Sequence, residues 1–146
     1  KFYNIHPGTD NVVFHFQCST DGGSTYAVTQ TSTFFSAWTN EGNTDSGFSY
    51  QVNFDQEATT DYQTLLPNSS NEDDESSDGE LHLFNPSSTT YAKNWYAQLS
   101  EGANGDYTNW DNPTGIFNTT SAINAVNFKM SSGNIDAGII QMYGVL

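Results

Sequence analysis

Hydrophobic and polar residues alternate along much of this chain, the period-two signature of half-buried β-strands. In Asn11 to Ser19, Val12, Phe14, Phe16 and Cys18 share one face, and Val13, His15 and Gln17 the other. Phe48, Tyr50, Val52 and Phe54 repeat the pattern, as do Lys93, Trp95, Ala97 and Leu99 within Tyr91 to Ser100. Near the far end, Val126, Phe128 and Met130 alternate with Asn127 and Lys129. Ser131-Ser132-Gly133-Asn134 then supplies a turn, because Gly and Asn tolerate positive φ and Ser bonds the backbone locally. Ala137 to Tyr143 follows as a more apolar strand, with Ile139 and Ile140 consecutive and so directed to both faces.

The intervening segments fit the same plan. Phe2 to His6 reads as a strand closed by Pro7-Gly8-Thr9-Asp10, and Thr20-Asp21-Gly22-Gly23 as a hairpin-type turn. Tyr26 to Phe35 is a Thr-rich strand, Trp38 to Gly47 a loop, and Glu80 to Phe84 a short strand stopped by Asn85-Pro86. Glu101 to Pro113 reads as a long Gly/Asn loop, Ile116-Phe117 as a brief strand, and Thr120 to Ala125 as the one short helical turn. Nothing sustains the 3.6-residue period of an amphipathic helix. About 8–10 strands separated by short polar turns predict an all-β domain, an antiparallel β-sandwich of jelly-roll type.

With 146 residues the chain is expected to form one domain over 1–146, burying roughly two-thirds of its unfolded surface. It opens on what reads as strand, so upstream residues are expected to be missing. Residues 68–79 form an expected acidic surface loop. Arg is absent, Lys totals 3, Asp and Glu total 17, and the net charge is -14. That balance argues against nucleic acid, whose phosphates need Lys and Arg, and against an anionic membrane. It suits salty water, where screening is strong. No apolar run is long enough to cross a membrane as a helix. The lone Cys18 reads as a buried structural thiol.

Candidate chemistry is sparse. Glu72, Asp73 and Asp74 offer oxygen ligands for a structural Ca²⁺, against the competing account of a solvated loop, and their spacing does not match an EF-hand. His6, His15 and His82 are not at zinc-ligand spacing. Asp55, Glu57, Asp106 and Asp111 are carboxylates a glycosidase would need, but nothing around them in sequence predicts a raised pKa, and no enzymatic activity is expected. Tyr107, Trp110 and Asp111, with Asn109 and Asn112, combine flat apolar faces with planar hydrogen-bonding groups, a mixture that suits a sugar. The competing account has Trp110 folded back over the end of the domain. Trp38 reads as structural and Trp95 as core.

The order of three motifs resembles a family of jelly-roll virion proteins of tailed bacteriophages, especially marine ones. They are STDGG at Ser19 to Gly23, GELHLFNP at Gly79 to Pro86 followed by Lys93, and SGNIDAGIIQMYG at Ser132 to Gly144. The resemblance spans most of residues 11–146 and implies a structural appendage on the virion surface: a tail fibre or spike, head fibre or capsid decoration. It implies homo-oligomers, often trimers, contacts with other virion proteins, and contact with host-surface glycans. No catalytic residue or cofactor comes with it. The acidic stretch after Pro67 is longer than the family pattern. The rival expectation is a non-viral carbohydrate-binding module or lectin.

Overall fold

A computed structural model describes residues 1–145. Eleven antiparallel strands form one open hydrogen-bonded sheet: β1 (Phe2–Pro7), β2 (Val12–Ser19), β3 (Gln30–Asn40), β4 (Ser46–Tyr50), β5 (Glu57–Thr59), β6 (Gln63–Ser69), β7 (Ser77–Leu83), β8 (Lys93–Ala103), β9 (Tyr107–Phe117), β10 (Ala125–Met130) and β11 (Ile135–Ile140). There is no α-helix among the described residues, only a 3₁₀ turn at Val52–Phe54. The all-β expectation is met.

One path through the ladder runs β10-β2-β6-β8-β7-β1-β11, while β9 leaves β8 on a second path to β3, which carries β4 and β5. The join between β6 and β8 is narrow, a single pairing of Ser69 with Ala103. Around it the sheet curls over. Phe16 on β2 meets Trp95 on β8 edge-on at 4.9 Å between ring centroids, and Phe117 on β9 at 5.8 Å. Phe2 on β1 meets Phe14 on β2 at 5.5 Å and Phe128 on β10 at 5.2 Å. None of these strand pairs is hydrogen-bonded, so the aromatic core holds the two limbs of the sheet together. Val12, Phe14, Phe16 and Cys18 are buried in it, as is Trp95, and burial pushes the Cys18 thiol up to about 12. Lys93 is buried too, its Nζ donating to the carbonyls of Thr119 (3.2 Å) and Ser121 (2.7 Å), which fixes the segment before β10.

Several boundaries differ from the sequence expectation. β10 and β11 flank a turn but do not pair: β10 joins β2 and β11 joins β1, so Ser131–Asn134 crosses from one limb to the other. The Thr20–Gly23 turn likewise leads from β2 into β3 without pairing them. Phe54 leaves the strand pattern because the chain turns after Tyr50. The expected helical turn at Thr120 to Ala125 is irregular backbone. The largest difference lies at Glu101 to Pro113, where β8 and β9 continue in unbroken register down to a tight turn at Asn104–Asp106. The expected loop is strand because its polar residues point inward, where alternation of apolar side chains would normally reveal a strand.

Gly138 shows why one motif position must be glycine. Its φ is +116°, and an added Cβ would come within 2.7 Å of the Asn4 carbonyl oxygen and 2.9 Å of Ile5 Cα. Gly138→Ala should therefore cost about 2 kcal/mol from backbone strain. Hydrogen exchange should show the loss concentrated in the β1–β11 pairing rather than in β8–β9.

Candidate functional site

The polar interior of β3, β9 and β8 is built by register. Asp111 lies opposite Leu99 on β8 and Ser36 on β3, and Asn109 opposite Glu101 and Trp38. Residues paired across antiparallel strands share a face, and so do their diagonal neighbours two positions along. Glu101, Asn109, Asp111, Ser36 and Trp38 therefore share one face. Glu101 Oε1 accepts from Asn109 Nδ2 (3.1 Å) and Oε2 from Ser69 Oγ (3.1 Å). Asp111 Oδ1 accepts from Ser36 Oγ at 2.5 Å. Both carboxyls are shut off from water.

Burial pushes Glu101 up to about 8, with the neighbouring Asp111 charge adding to it, and burial pushes Asp111 up to about 7. Two carboxyls in one dry site cannot both ionise cheaply, so the pair retains a proton at neutral pH. Asp111 Oδ2 has no donor besides. A proton retained on Glu101 would give Asp111 the missing donor, and the Glu101 side chain favours the Asp111 anion. Asp111 is thus a carboxyl with a raised pKa, contrary to the sequence expectation, because burial raises it, and that burial comes from strands distant in sequence rather than from its neighbours along the chain.

A cleft of about 490 Å³ opens beside this pair, reaching Ser36, Trp38, Phe54, Asn104, Tyr107 and Asn109 among others. The described residues that line it are all uncharged. Its side chains are held from behind. The Trp38 indole lies against Gly47, where a Cβ would sit 2.5 Å from Cζ2. Tyr107 donates its hydroxyl to Asp45 Oδ2 (3.0 Å), and Asn104 Nδ2 donates to Asp10 Oδ2 (2.8 Å).

A second, acidic cleft of about 310 Å³ collects Glu41, Glu72, Asp74, Glu75 and Asp106. Glu72 is pushed up, first by the charge on Glu75. Of the residues expected to ligate calcium, Glu72 and Asp74 line this cleft and Asp73 does not. No group of three or more Asp, Glu, His or Cys among the described residues is arranged to hold a metal ion.

The expected sugar-binding trio is divided. Tyr107 lines the neutral cleft, Asp111 lies beneath it out of reach of solvent, and Trp110 alternates to the other face of β9. There Trp110 is 47% exposed, in line with Ala37 on β3 and Phe48 on β4, beside Phe35 and Tyr50. Sequence reading missed Glu101, Ser36 and Trp38. The available signal was polar alternation in Asn109 with Asp111, two residues apart on the same face. Neither family models, nor curated proteins, nor solved structures give any match to this chain.

The acid pair generates a pH prediction. Its protons are held more tightly folded than unfolded, so its stabilising contribution is complete below the ordinary values of 4.5 and 3.8. That contribution is lost as pH rises through about 7 to 8. Glu101→Gln, which donates to Asp111 without titrating, should flatten the fall. Urea unfolding at pH 6 and pH 9 should show wild type losing more stability than the variant by upwards of about 1.4 kcal/mol, the equivalent of one pKa unit.

Proposed function

We propose that this chain is a structural domain of a bacteriophage virion, displayed on the particle surface as a fibre, spike or capsid decoration and working by assembly. In this reading the curled sheet is a jelly roll. The observation that carries it is the state of β11. Among the described residues this strand pairs on one side only, with β1, and Ile139 (62% exposed) and Ile140 stand out to solvent. An edge strand offers unpaired backbone groups to any second chain, and proteins that stay single blunt such edges with charge or bulges. The other end of the ladder, β10, carries Lys129, whose Nζ sits 3.9 Å over the Tyr62 ring. β11 carries one charge, Asp136, and an irregular register with β1, and then exposes two consecutive isoleucines.

The pattern shared with virion proteins covers this strand, and its apolar positions do not all serve this domain's own core. Contact with further copies, or with other virion proteins, gives Ile139 and Ile140 a partner. The outer strip of Trp110, Phe35, Phe48 and Tyr50 is a second surface of the same kind, with Phe48 69% exposed. The net charge of -14 opposes contact between copies until salt screens it, within about 8 Å at physiological ionic strength.

The chain should form homo-oligomers whose population rises with salt. Ile139→Asp combined with Ile140→Asp should weaken association by about thirtyfold or more and leave the unfolding midpoint nearly unchanged, because both residues are exposed. Sedimentation velocity reads the first effect and thermal unfolding the second. Immunogold labelling of the source's particle fraction should place the chain at a fixed position on phage-like particles. A chain monomeric at every salt concentration, with unlabelled particles, would overturn the reading.

A further inference from the structure

We propose that the cleft over the Glu101–Asp111 pair is a binding site for a neutral saccharide, held by hydroxyl donation to Ser36 and Asn109 and by contact with Trp38 and Tyr107. The argument begins with where the floor's own donors go. Ser36 gives its hydroxyl proton to Asp111, and Asn109 gives an Nδ2 proton to Glu101. Both residues line the cleft, and Asn109 Oδ1 has no hydrogen-bond partner among the described residues. The floor therefore presents two acceptors, Ser36 Oγ and Asn109 Oδ1, beside one remaining donor, the second N–H of Asn109 Nδ2. A ligand that fits must bring donors, and one that also accepts fits best.

Two classes of ligand bring donors and favour aromatic walls: a sugar and an organic ammonium. The remaining lining decides between them. Amides of Asn11, Gln51 and Asn104 stand around the opening; their N–H groups donate to hydroxyl oxygens and their carbonyl oxygens accept from hydroxyl protons, a two-way match that an ammonium, which only donates, does not make. No carboxylate faces the cleft among the described residues. A volume of about 490 Å³ admits a ligand the size of one or two sugar rings, within the usual range for small-molecule sites. The walls are also set before any ligand arrives, since Gly47 places the indole and Asp45 holds the Tyr107 hydroxyl. Fixing those side chains in advance removes part of the ordering cost of binding.

This inference is independent of assembly, because the cleft lies on the opposite face of β9 from Trp110 and does not include β11. Saturation-transfer NMR with the methyl glycosides of glucose, galactose, mannose and N-acetylglucosamine, and with cellobiose and lactose, tests it directly. At least one sugar should bind in the millimolar range, and it should quench tryptophan fluorescence. Trp38→Phe and Asn109→Leu should each weaken that sugar by about tenfold. Trp110→Ala, on the far face, should leave sugar affinity unchanged. Thermal unfolding of each variant separates lost binding from lost fold, and Asn104→Ala at the solvent-facing opening provides a milder variant that keeps the core intact. Failure of every sugar to bind at tens of millimolar would overturn the proposal. So would binding unaffected by Trp38→Phe, Asn109→Leu and Asn104→Ala, or displacement of the sugar by tetramethylammonium.

Discussion

Two neighbouring carboxyl groups out of water persist most cheaply if they retain a proton and hydrogen-bond donors reach their oxygens. That constraint organises the centre of this protein. Glu101 and Asp111 meet where β8 and β9 run side by side, and the donors that satisfy them come from Ser36 on β3, Asn109 on β9 and Ser69 at the end of β6. Ser69 also makes the only pairing between β6 and β8. One polar cluster therefore ties four strands together at the narrow join where the sheet turns over on itself. A hydrophobic cluster of similar volume would be cheaper to bury, but it would not choose its partners by hydrogen-bond geometry. Here the geometry links the register of β8 and β9 to the position of β3.

The rest of the structure divides into a dry interior and two kinds of surface. The interior is aromatic, and its edge-on rings bridge strands that share no backbone bonds. Large flat side chains suit this task because they reach across the space between the limbs and lose few rotamers on burial. One kind of surface is heavily anionic and gathers at the turns around Glu72 and Asp106. The other is apolar, at Ile139 and Ile140 and along the outer strip from Trp110 to Phe48. Negative charge keeps the molecule soluble, and the apolar zones mark where contact costs least electrostatically.

Assembly and ligand binding need not compete in this arrangement. Alternation along β9 sends Tyr107, Asn109 and Asp111 to one side and Trp110 to the other. The same strand can thus contribute to a cleft within the domain and to a contact surface outside it. The acid pair sits under the first and takes no part in the second. Its role toward the cleft is to position: it takes up the protons of Ser36 and Asn109 and leaves their acceptors for a visitor.

By itself the sequence determined the class of the fold, most strand positions and the placement of Cys18, Trp95 and Lys93 on an inward face. Those features follow from local alternation, which is written residue by residue. It also determined the net charge of -14, since charge is a sum over composition. Only the tertiary structure decided that Glu101 to Ala103 and Tyr107 to Pro113 are strand. A polar residue facing a core looks like a loop residue until its partners are known, and the partners of Glu101 and Asp111 lie on three other strands. The same applies to Trp38, whose place in the cleft depends on Gly47 across the ladder, and to Trp110, parted from Tyr107 once β9 is extended. Pairing between distant segments set these sites, and a linear pattern carries no record of which segments will meet.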